Sequence, residues 1–588
     1  MTLNILNKIN EPKDLKSLSR EELNLLSSEI RDVLIKRVST TGGHFGPNLG
    51  MVEATIALHY VFNSPVDKFV YDVSHQSYVH KMLTGRKEAY INPEKFKTVT
   101  GYTEPKESEH DFFTIGHTST SISLACGLAK GRDAVGSNEN IIAIIGDGSL
   151  SGGEAYEGLN NAAASNKNII ILVNDNDISI AENHGGLYKN LAQLRESEGK
   201  LDNNFFKSLG FEYHFVKDGN NLESLIETFE KVKDTTRPVV VHMHTIKGKG
   251  YEDAENNKES FHWVMPFDLE TKEPLFKGEY VKSYGDITED FLIEKAKKDK
   301  SIVAITAATP GIVGVNRFRS ELQDQYVDVG IAEEHAIALA SGMAKRGAKP
   351  VAAFLSSFIQ RTYDQLSQDL AINNNPATIM VYWGGISGSD VTHLGLFDIP
   401  LISNIPNMVY LAPTTKEEHL AMVDWAIEQD KHPVAIRVPN MEVVSTGVGV
   451  EANFDELNKY VMVEEGKDVA IIGLGSFFHL GKKVQERLRN TGINATLINP
   501  RFITGVDEDL LNELKENHKV VITLEDGILD GGFGEKISRF YGNSQMRVLN
   551  FGATKEFTDS VELDVLYERY HLTEDLIVND IKSAIDQE

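Results

Sequence analysis

Short runs of aliphatic and β-branched residues alternate with longer segments of helical periodicity along this chain. The runs at Asn140–Ile145 and Asn168–Val173 flank a segment of helical character, Gly153–Ser165, and Pro238–Thr245 forms another apolar run. Near-continuous apolar runs of this length are typical of strands in a parallel sheet that is covered on both faces. The pattern therefore predicts a βαβ unit in the first part of the chain.

The same alternation begins again twice further along. Near the start of the chain, Ser19 opens a capping box, and apolar residues then recur at helical spacing. We predict an α/β protein of three doubly wound domains, 1–255, 286–450 and 451–588, with a polar linker at 256–285. The strands predicted for the second and third domains are Ile302–Thr306, Tyr326–Val329, Pro350–Ala353, Ala377–Tyr382, Val469–Ile472, Ala495–Ile498, Lys519–Leu524 and Met546–Leu549.

Composition excludes several classes of protein. The 588 residues include 59 Lys and Arg against 86 Asp and Glu, a net charge of −27, so we expect neither nucleic acid nor an anionic membrane as the main partner. The single cysteine, Cys126, excludes an internal disulfide framework and a cysteine-based zinc site. The first residues lack the apolar core of a signal peptide, and no stretch is long enough to span a bilayer, so the sequence predicts a cytoplasmic enzyme.

Polar residues follow two of the predicted strands at the point where each strand ends. Asp147 and Gly148 follow the first, and Asn176 follows the second. Ligands of open α/β sheets bind at the carboxyl edge, where these side chains should meet. A carboxylate, an amide oxygen and a backbone carbonyl from near Ile178 are oxygen ligands of the kind that Mg²⁺ prefers. The glycine lets the backbone approach a phosphate closely.

This arrangement resembles the motif that binds thiamine diphosphate with Mg²⁺, and further motifs make the resemblance specific. They are similar to those of the 1-deoxy-D-xylulose-5-phosphate synthases, which are relatives of transketolase. The similarity runs over nearly the whole chain in the same order. The matching segments are Gly42–Phe45, Asp72–Arg86, Gly116–Ser121, Ile331–Ala336 and Phe358–Gln365.

The resemblance implies an activity and a domain order. Pyruvate is decarboxylated on thiamine diphosphate, and the two-carbon unit is joined to an aldehyde, D-glyceraldehyde 3-phosphate in the family, to give a 1-deoxy-ketose. The first domain would bind the diphosphate and Mg²⁺, the second the pyrimidine, and the third would be the transketolase C-terminal domain of a homodimer. A transketolase, a pyruvate dehydrogenase component and a catalytically silent cofactor-binding protein are the alternatives.

The resemblance also implies roles for individual residues. Glu333 matches the carboxylate that holds the aminopyrimidine in its imino form, and Phe358 matches the aromatic ring that packs on the pyrimidine. The remaining catalytic candidates are His44, His262, His393, Asp390 and Arg361. The cofactor-binding candidates are His75, Gly116, His117, Thr118, Asp147, Gly148, Ser149, Asn176, Lys247 and Tyr251, with Asp147, Asn176 and Ile178 as the metal ligands.

The sequence departs from the family pattern where the acceptor should bind. Trp383 and Asn440 stand where the family has the two arginines assigned to the acceptor's phosphate, which leaves Arg361 and Arg437 as partial substitutes, and Leu355 replaces a tyrosine. Losing two guanidinium groups would weaken phosphate binding on the order of 10²–10⁴-fold. Relative to the family pattern, one residue is missing between Asp390 and His393, and the segment after Asn183 is shorter. An alternative function is therefore the same donor chemistry with an unphosphorylated aldehyde.

Overall fold

The computed structural model describes residues 3–165, 168–276, 278, 280–450 and 454–586. The chain divides into two compact units, Met1–Glu279 with Gly330–Ala332, and Tyr280–Val329 with Glu333–Glu588. Each unit is built on parallel sheets with helices between the strands, which confirms the predicted α/β class.

The first unit contains a five-stranded parallel sheet and a separate antiparallel pair. The sheet has the strand order β2-β3-β4-β6-β5, and β1 pairs with β7. The predicted βαβ unit is confirmed to within two residues. The strands are β1 Gly43–His44, β2 Lys68–Tyr71, β3 Ile141–Gly146, β4 Ile170–Asp175, β5 Glu212–Val216, β6 Val239–His244 and β7 Trp263–Val264.

Helices cover both faces of this sheet and bury its aliphatic side chains in two clusters. The first long helix begins where the sequence predicts, because the Ser19 hydroxyl accepts from the Glu22 amide while the Glu22 carboxylate accepts from the Ser19 amide. The helices are α1 Arg20–Thr41, α2 Gly46–Gly50, α3 Val52–Val61, α4 Tyr78–Lys81, α5 Glu88–Ile91, α6 Ser121–Val135, α7 Gly153–Ala164, α8 Gly186–Glu196, α9 Phe205–Leu209, α10 Leu222–Val232 and α11 Glu252–Asn256.

The second unit contains two sheets. The six-stranded parallel sheet has the order β12-β13-β11-β10-β8-β9, and the five-stranded sheet has the order β14-β16-β15-β17-β18 with β14 antiparallel. The strands are β8 Ile302–Thr306, β9 Tyr326–Asp328, β10 Lys349–Leu355, β11 Thr378–Tyr382, β12 Val409–Leu411, β13 Val434–Arg437, β14 Val461–Glu464, β15 Asp468–Gly473, β16 Thr496–Asn499, β17 His518–Ile528 and β18 Arg547–Ala553.

One apolar cluster of the second unit draws residues from both of its sheets, so the two sheets share a core. The helices of this unit are α12 Tyr284–Ala296, α13 Asn316–Glu321, α14 Glu333–Lys345, α15 Asp398–Ser403, α16 Lys416–Glu428, α17 Phe477–Arg489, α18 Glu508–Asn517, α19 Phe533–Tyr541, α20 Leu563–Arg569 and α21 Glu574–Asp586.

The segment predicted as a linker, 256–285, contains packed structure in its first part. Trp263 and Val264 form β7 against β1, and Phe267 is buried in the core of the first unit. The exact domain boundaries stay predictions. Within the described part of the chain, no helix is both long and apolar enough to cross a membrane.

Candidate active site

The two polar strand ends lie side by side in the first unit. β3 and β4 are neighbouring parallel strands, with Gly146 level with Asn174. Asp147 directly follows β3 and Asn176 directly follows β4, so both residues lie at the carboxyl edge of the sheet, as the sequence predicts.

The buried Asp147 carboxyl and the Asn176 amide provide oxygens suited to a cation. Asp147 accepts a hydrogen bond from the Asn183 amide at 2.8 Å, and burial together with the nearby Asp175 carboxylate raises the pKa of Asp147 to about 8. The Asn176 Oδ1 atom is buried and has no hydrogen-bond donor. A buried acid that resists ionisation and an amide oxygen without a donor both lack a positive partner, and Mg²⁺ would supply it. The residues therefore fit the predicted metal.

The backbone after Asp147 turns tightly in a way that requires glycine. A Cβ on Gly148 would lie 2.6 Å from the Ser179 hydroxyl, and Gly148 and Ser149 form a single helical turn, Gly148–Ser151. Lys247 is buried close by, where its ammonium donates to the Ser179 carbonyl at 2.6 Å. Burial lowers the pKa of Lys247 to about 7, although the Asp147 charge acts in the opposite direction. An anionic ligand would hold this amine in its charged form.

A buried carboxylate orients the loop that carries Gly116, His117 and Thr118. Asp72 follows β2 and accepts from the amides of Ser119 at 2.8 Å and Ser121 at 3.0 Å. The Ser119 hydroxyl in turn donates to the Ser149 carbonyl at 2.8 Å. The three predicted cofactor residues are thus tied to the turn after Asp147.

Three of the predicted histidines form one cluster, although they are far apart in sequence. The ring centroids of His44 and His75 are 4.8 Å apart, those of His75 and His262 5.3 Å, and those of His44 and His262 5.6 Å. The pairing of β1 with β7 places His44 opposite Trp263, next to His262. Burial and the nearby Lys247 ammonium, 3.0 Å from His262 Nδ1, lower the pKa of His262 well below its usual value. His262 is therefore neutral at neutral pH.

Tyr251 lies in an aromatic cluster at the edge of the core. Its ring centroid is 5.2 Å from that of Phe45 and 5.8 Å from that of Phe261, and its hydroxyl is buried without a hydrogen-bond partner. Phe45 directly follows His44, so Tyr251 supports the segment that carries this histidine. Its predicted contact with the cofactor stays a prediction.

The second unit carries the other predicted catalytic residues. Glu333 is the first residue of α14, and burial raises its pKa to about 7 against the opposing effect of Arg361, whose Nη1 lies 3.9 Å from Glu333 Oε2. The ring centroids of Phe358 and His393 are 5.7 Å apart. Although burial acts in the opposite direction, the hydrogen bond with His393, 3.2 Å long, lowers the pKa of Asp390.

The residues that depart from the family pattern also lie in the second unit. Trp383 follows β11 with 53% of its surface exposed and a φ of 57°, and Asn440 is exposed. Arg437 is buried and donates from Nε to Asp398 at 2.6 Å and from Nη1 to Asp526. Two carboxylates therefore already balance its charge, so Arg437 cannot serve as a free substitute for the missing phosphate-binding arginines.

Residues that the sequence analysis did not assign also shape the site. Asp72 could have been found by the reasoning used for Asp147, because it directly follows a strand at the same edge of the sheet. Asn183 bonds Asp147, and the Tyr188 hydroxyl donates to the Asp147 carbonyl at 3.1 Å. The Lys258 ammonium donates to the Asn176 carbonyl at 3.1 Å. No local pattern marks these last three, because each reaches the site from a separate loop or helix.

Comparison with known proteins extends over the whole chain. The family model for 1-deoxy-D-xylulose-5-phosphate synthase matches residues 6–202 and 198–245, the transketolase pyrimidine binding domain matches 282–444, and the transketolase C-terminal domain matches 458–577. The 1-deoxy-D-xylulose-5-phosphate synthase of Halothermothrix orenii is 39% identical over 99% of this chain and 98% of its own. This chain belongs to the 1-deoxy-D-xylulose-5-phosphate synthase family.

Other enzymes of this family match this chain to a similar extent. The enzymes of the same name from Natranaerobius thermophilus and Caldanaerobacter subterraneus are 38% and 39% identical, over 99% and 98% of this chain and 98% of each relative. The solved transketolase from Leishmania mexicana aligns over 95% of this chain and 97% of its own at 14% identity with a TM-score of 0.44.

The family assignment confirms three of the predictions made from the sequence. The resemblance, the α/β fold and the class of enzyme, a thiamine-diphosphate-dependent transferase, are confirmed. The match of the first domain to the synthase model favours this family over transketolase and pyruvate dehydrogenase, and the comparisons do not favour an unphosphorylated acceptor. The roles of the individual site residues stay predictions.

Proposed function

We propose that this chain, as a homodimer with thiamine diphosphate and Mg²⁺, converts pyruvate and D-glyceraldehyde 3-phosphate into 1-deoxy-D-xylulose 5-phosphate and CO₂. The observation that carries the proposal is the cluster of His44, His75 and His262 in the same unit as the buried Asp147 and Lys247. Such a set combines an oxygen ligand for a metal, a cation for a diphosphate and imidazoles for proton transfer.

The residues of the first unit would hold the cofactor at its diphosphate. The Asp147 carboxylate, the Asn176 amide oxygen and the Ile178 carbonyl would bind Mg²⁺, while Lys247 and the turn at Gly148 would face the phosphates. The Asp72 hydrogen bonds keep the loop with His117 in one conformation before the ligand arrives. When bound, thiamine diphosphate supplies the nucleophilic carbon and the electron sink for decarboxylation.

Protein side chains would then position substrates and move protons. Glu333 has a pKa of about 7, so its carboxyl can both hold and release a proton near neutral pH. His262 is neutral, and because its Nδ1 atom accepts from the Lys247 ammonium, its Nε2–H group can donate a hydrogen bond to a developing oxyanion. The hydrogen bond between Asp390 and His393 fixes the orientation of that ring.

The proposal is tested with purified protein, thiamine diphosphate, Mg²⁺ and pyruvate. We expect CO₂ release that depends on D-glyceraldehyde 3-phosphate and a five-carbon phosphorylated product in mass spectra, with light scattering reporting a dimer. Lipoamide and xylulose 5-phosphate serve as controls for the pyruvate dehydrogenase and transketolase reactions. Turnover that is faster with D-glyceraldehyde than with its 3-phosphate would contradict the proposal.

A variant pair separates catalysis from cofactor binding. Glu333→Gln should retain thiamine diphosphate binding but lose at least about 10²-fold in kcat, the usual size of a general acid–base contribution. Glu334→Gln changes the adjacent carboxylate of the same helix and should leave kcat unchanged. Equal activity of the two variants would show that Glu333 does not have this role.

A further inference from the structure

A cavity of about 360 Å³ lies in the first unit, beside the histidine cluster. Pockets that bind small molecules span roughly 300–1,000 Å³, so this one has room for a small ligand. Its walls come from the end of α1, from Tyr78 in α4 and from the segment 96–101. The lining residues that matter are Arg37, Thr41, Tyr78, Tyr90, Lys97 and Thr100.

Both charged residues that line this cavity are cations, Arg37 and Lys97, and none of its described lining residues is acidic. The Arg37 guanidinium donates to the Ala89 carbonyl at 3.1 Å, to the Phe96 carbonyl at 2.8 Å and to the Thr41 hydroxyl. All three acceptors are neutral, so these hydrogen bonds fix the group without cancelling its charge. The Lys97 side chain is exposed.

The aromatic rings around Arg37 hold it further in place. Its guanidinium carbon lies 4.8 Å from the centroid of the Phe96 ring and 5.3 Å from that of Tyr90. A guanidinium group is weakly hydrated and stacks on aromatic faces, so binding of an anion displaces little water from it. The cavity is therefore lined by one cation that hydrogen bonds and aromatic rings hold in place, Arg37, and by one exposed cation, Lys97.

The cavity shares its wall with the proposed reaction site. The Tyr78 hydroxyl lies 3.4 Å from the His44 amide nitrogen, and Gly42, which lines the cavity, is two residues before His44. Gly101 also lines the cavity, and the next residue, Tyr102, has its ring centroid 5.9 Å from that of His44. A ligand anchored by Arg37 and Lys97 would lie next to the histidine cluster.

We propose that this cavity binds the phosphate of the aldehyde acceptor through Arg37 and Lys97. The inference rests on the function proposed above and names a phosphate site for a chain that lacks the two arginines assigned to this phosphate in the family. Trp383 and Asn440 stand at the two expected positions, and Asp398 and Asp526 neutralise Arg437. A phosphate dianion is recognised by charge-assisted hydrogen bonds from arginine and lysine, and the cavity supplies both.

The test compares two lysines of the same short helical segment, Pro93–Thr98. Lys97→Glu should raise KM for D-glyceraldehyde 3-phosphate at least about ten-fold, the loss expected for one charge-assisted hydrogen bond, and leave KM for pyruvate and for unphosphorylated D-glyceraldehyde unchanged. Lys95→Glu makes the same charge change at an exposed residue that does not line the cavity, and should alter none of these values. Equal KM values for the phosphorylated aldehyde in both variants would overturn the assignment.

A binding measurement needs no turnover. Isothermal titration with glycerol 3-phosphate should give a saturable heat with wild-type protein and with Lys95→Glu, and at least about ten-fold weaker binding with Lys97→Glu. Glycerol 3-phosphate should also compete with the phosphorylated aldehyde in steady-state kinetics. Binding without competition would make the cavity a separate anion site and overturn the acceptor assignment. Wild-type protein that makes no product from D-glyceraldehyde 3-phosphate would instead overturn the proposed function.

Discussion

The side-chain amide of Asn183 donates a hydrogen bond to Asp147 Oδ2 at 2.8 Å. This contact links the carboxylate proposed to bind Mg²⁺ to the start of the segment that is short in this chain. The Asn183 Oδ1 atom is itself buried without a hydrogen-bond donor. Among the described contacts, the Asn183 side chain therefore serves to orient the Asp147 carboxyl rather than to form part of a larger hydrogen-bond network.

Replacing Asn183 with alanine should weaken Mg²⁺ binding by about 10–100-fold, because losing a group that orients a metal ligand typically costs that much affinity. The measurement is a Mg²⁺ titration of thiamine diphosphate binding, followed by fluorescence, and of activity. Asn161→Ala removes an exposed amide on α7, which bonds only to the Glu157 carbonyl among the described contacts, and is the control. An unchanged Mg²⁺ midpoint in Asn183→Ala would show that the contact does not position Asp147.

Glu333→Gln should stabilise the cofactor-free protein at pH 8 and have little effect at pH 5. Burial raises the Glu333 pKa from 4.5 to about 7, so between these values the unfolded chain releases a proton that the folded chain keeps. The free energy of unfolding therefore falls as pH rises through this window, by on the order of 3 kcal/mol once Glu333 is ionised in both states. Glutamine keeps the shape and cannot ionise.

Thermal unfolding of Glu333→Gln and Glu334→Gln at the two pH values checks this prediction. We expect a higher unfolding temperature for Glu333→Gln at pH 8 and no pH-dependent difference for Glu334→Gln. A loss of stability in Glu333→Gln that is equal at both pH values would mean that the buried carboxyl carries no ionisation cost.

Asp72→Asn should lower stability by about 2 kcal/mol and weaken thiamine diphosphate binding. The carboxylate accepts from two amides, Ser119 and Ser121, and an asparagine can accept only one of them while its NH₂ group faces the other donor. Unfolding temperature and cofactor affinity are measured beside Asp218→Asn, an exposed aspartate. Cofactor affinity that survives the change would show that the loop holds its conformation without Asp72.

Arg437→Met should destabilise the second unit by about 3–5 kcal/mol, because it leaves the Asp398 and Asp526 carboxylates buried without their cation. Urea unfolding measures the loss, with Arg539→Met, an exposed arginine on α19, as the control. A variant with unchanged stability and a raised KM for the phosphorylated aldehyde would instead assign Arg437 to the acceptor.

The apolar pattern predicts most strands closely, because strands buried on both faces are apolar at nearly every position. Ile302–Thr306 is predicted with the bounds it has in the structure, and β11 differs by one residue. β17 runs to Ile528, beyond the predicted end at Leu524, because Ile528 pairs with Ala553 after an irregular stretch. The polar residues Glu525 and Asp526 in that stretch hide the continuation from a pattern based on hydrophobicity.

The sequence by itself determined the parallel sheets and the polar residues at their carboxyl ends, Asp147 and Asn176, because strand burial and strand ends leave a local pattern. Only the tertiary structure decided that His44, His75 and His262 meet, that two carboxylates neutralise Arg437, and that Arg37 and Lys97 face one cavity. Each of these depends on contacts between segments far apart in the chain. Local periodicity reports which positions are buried, whereas the path of the whole chain decides which buried groups come together.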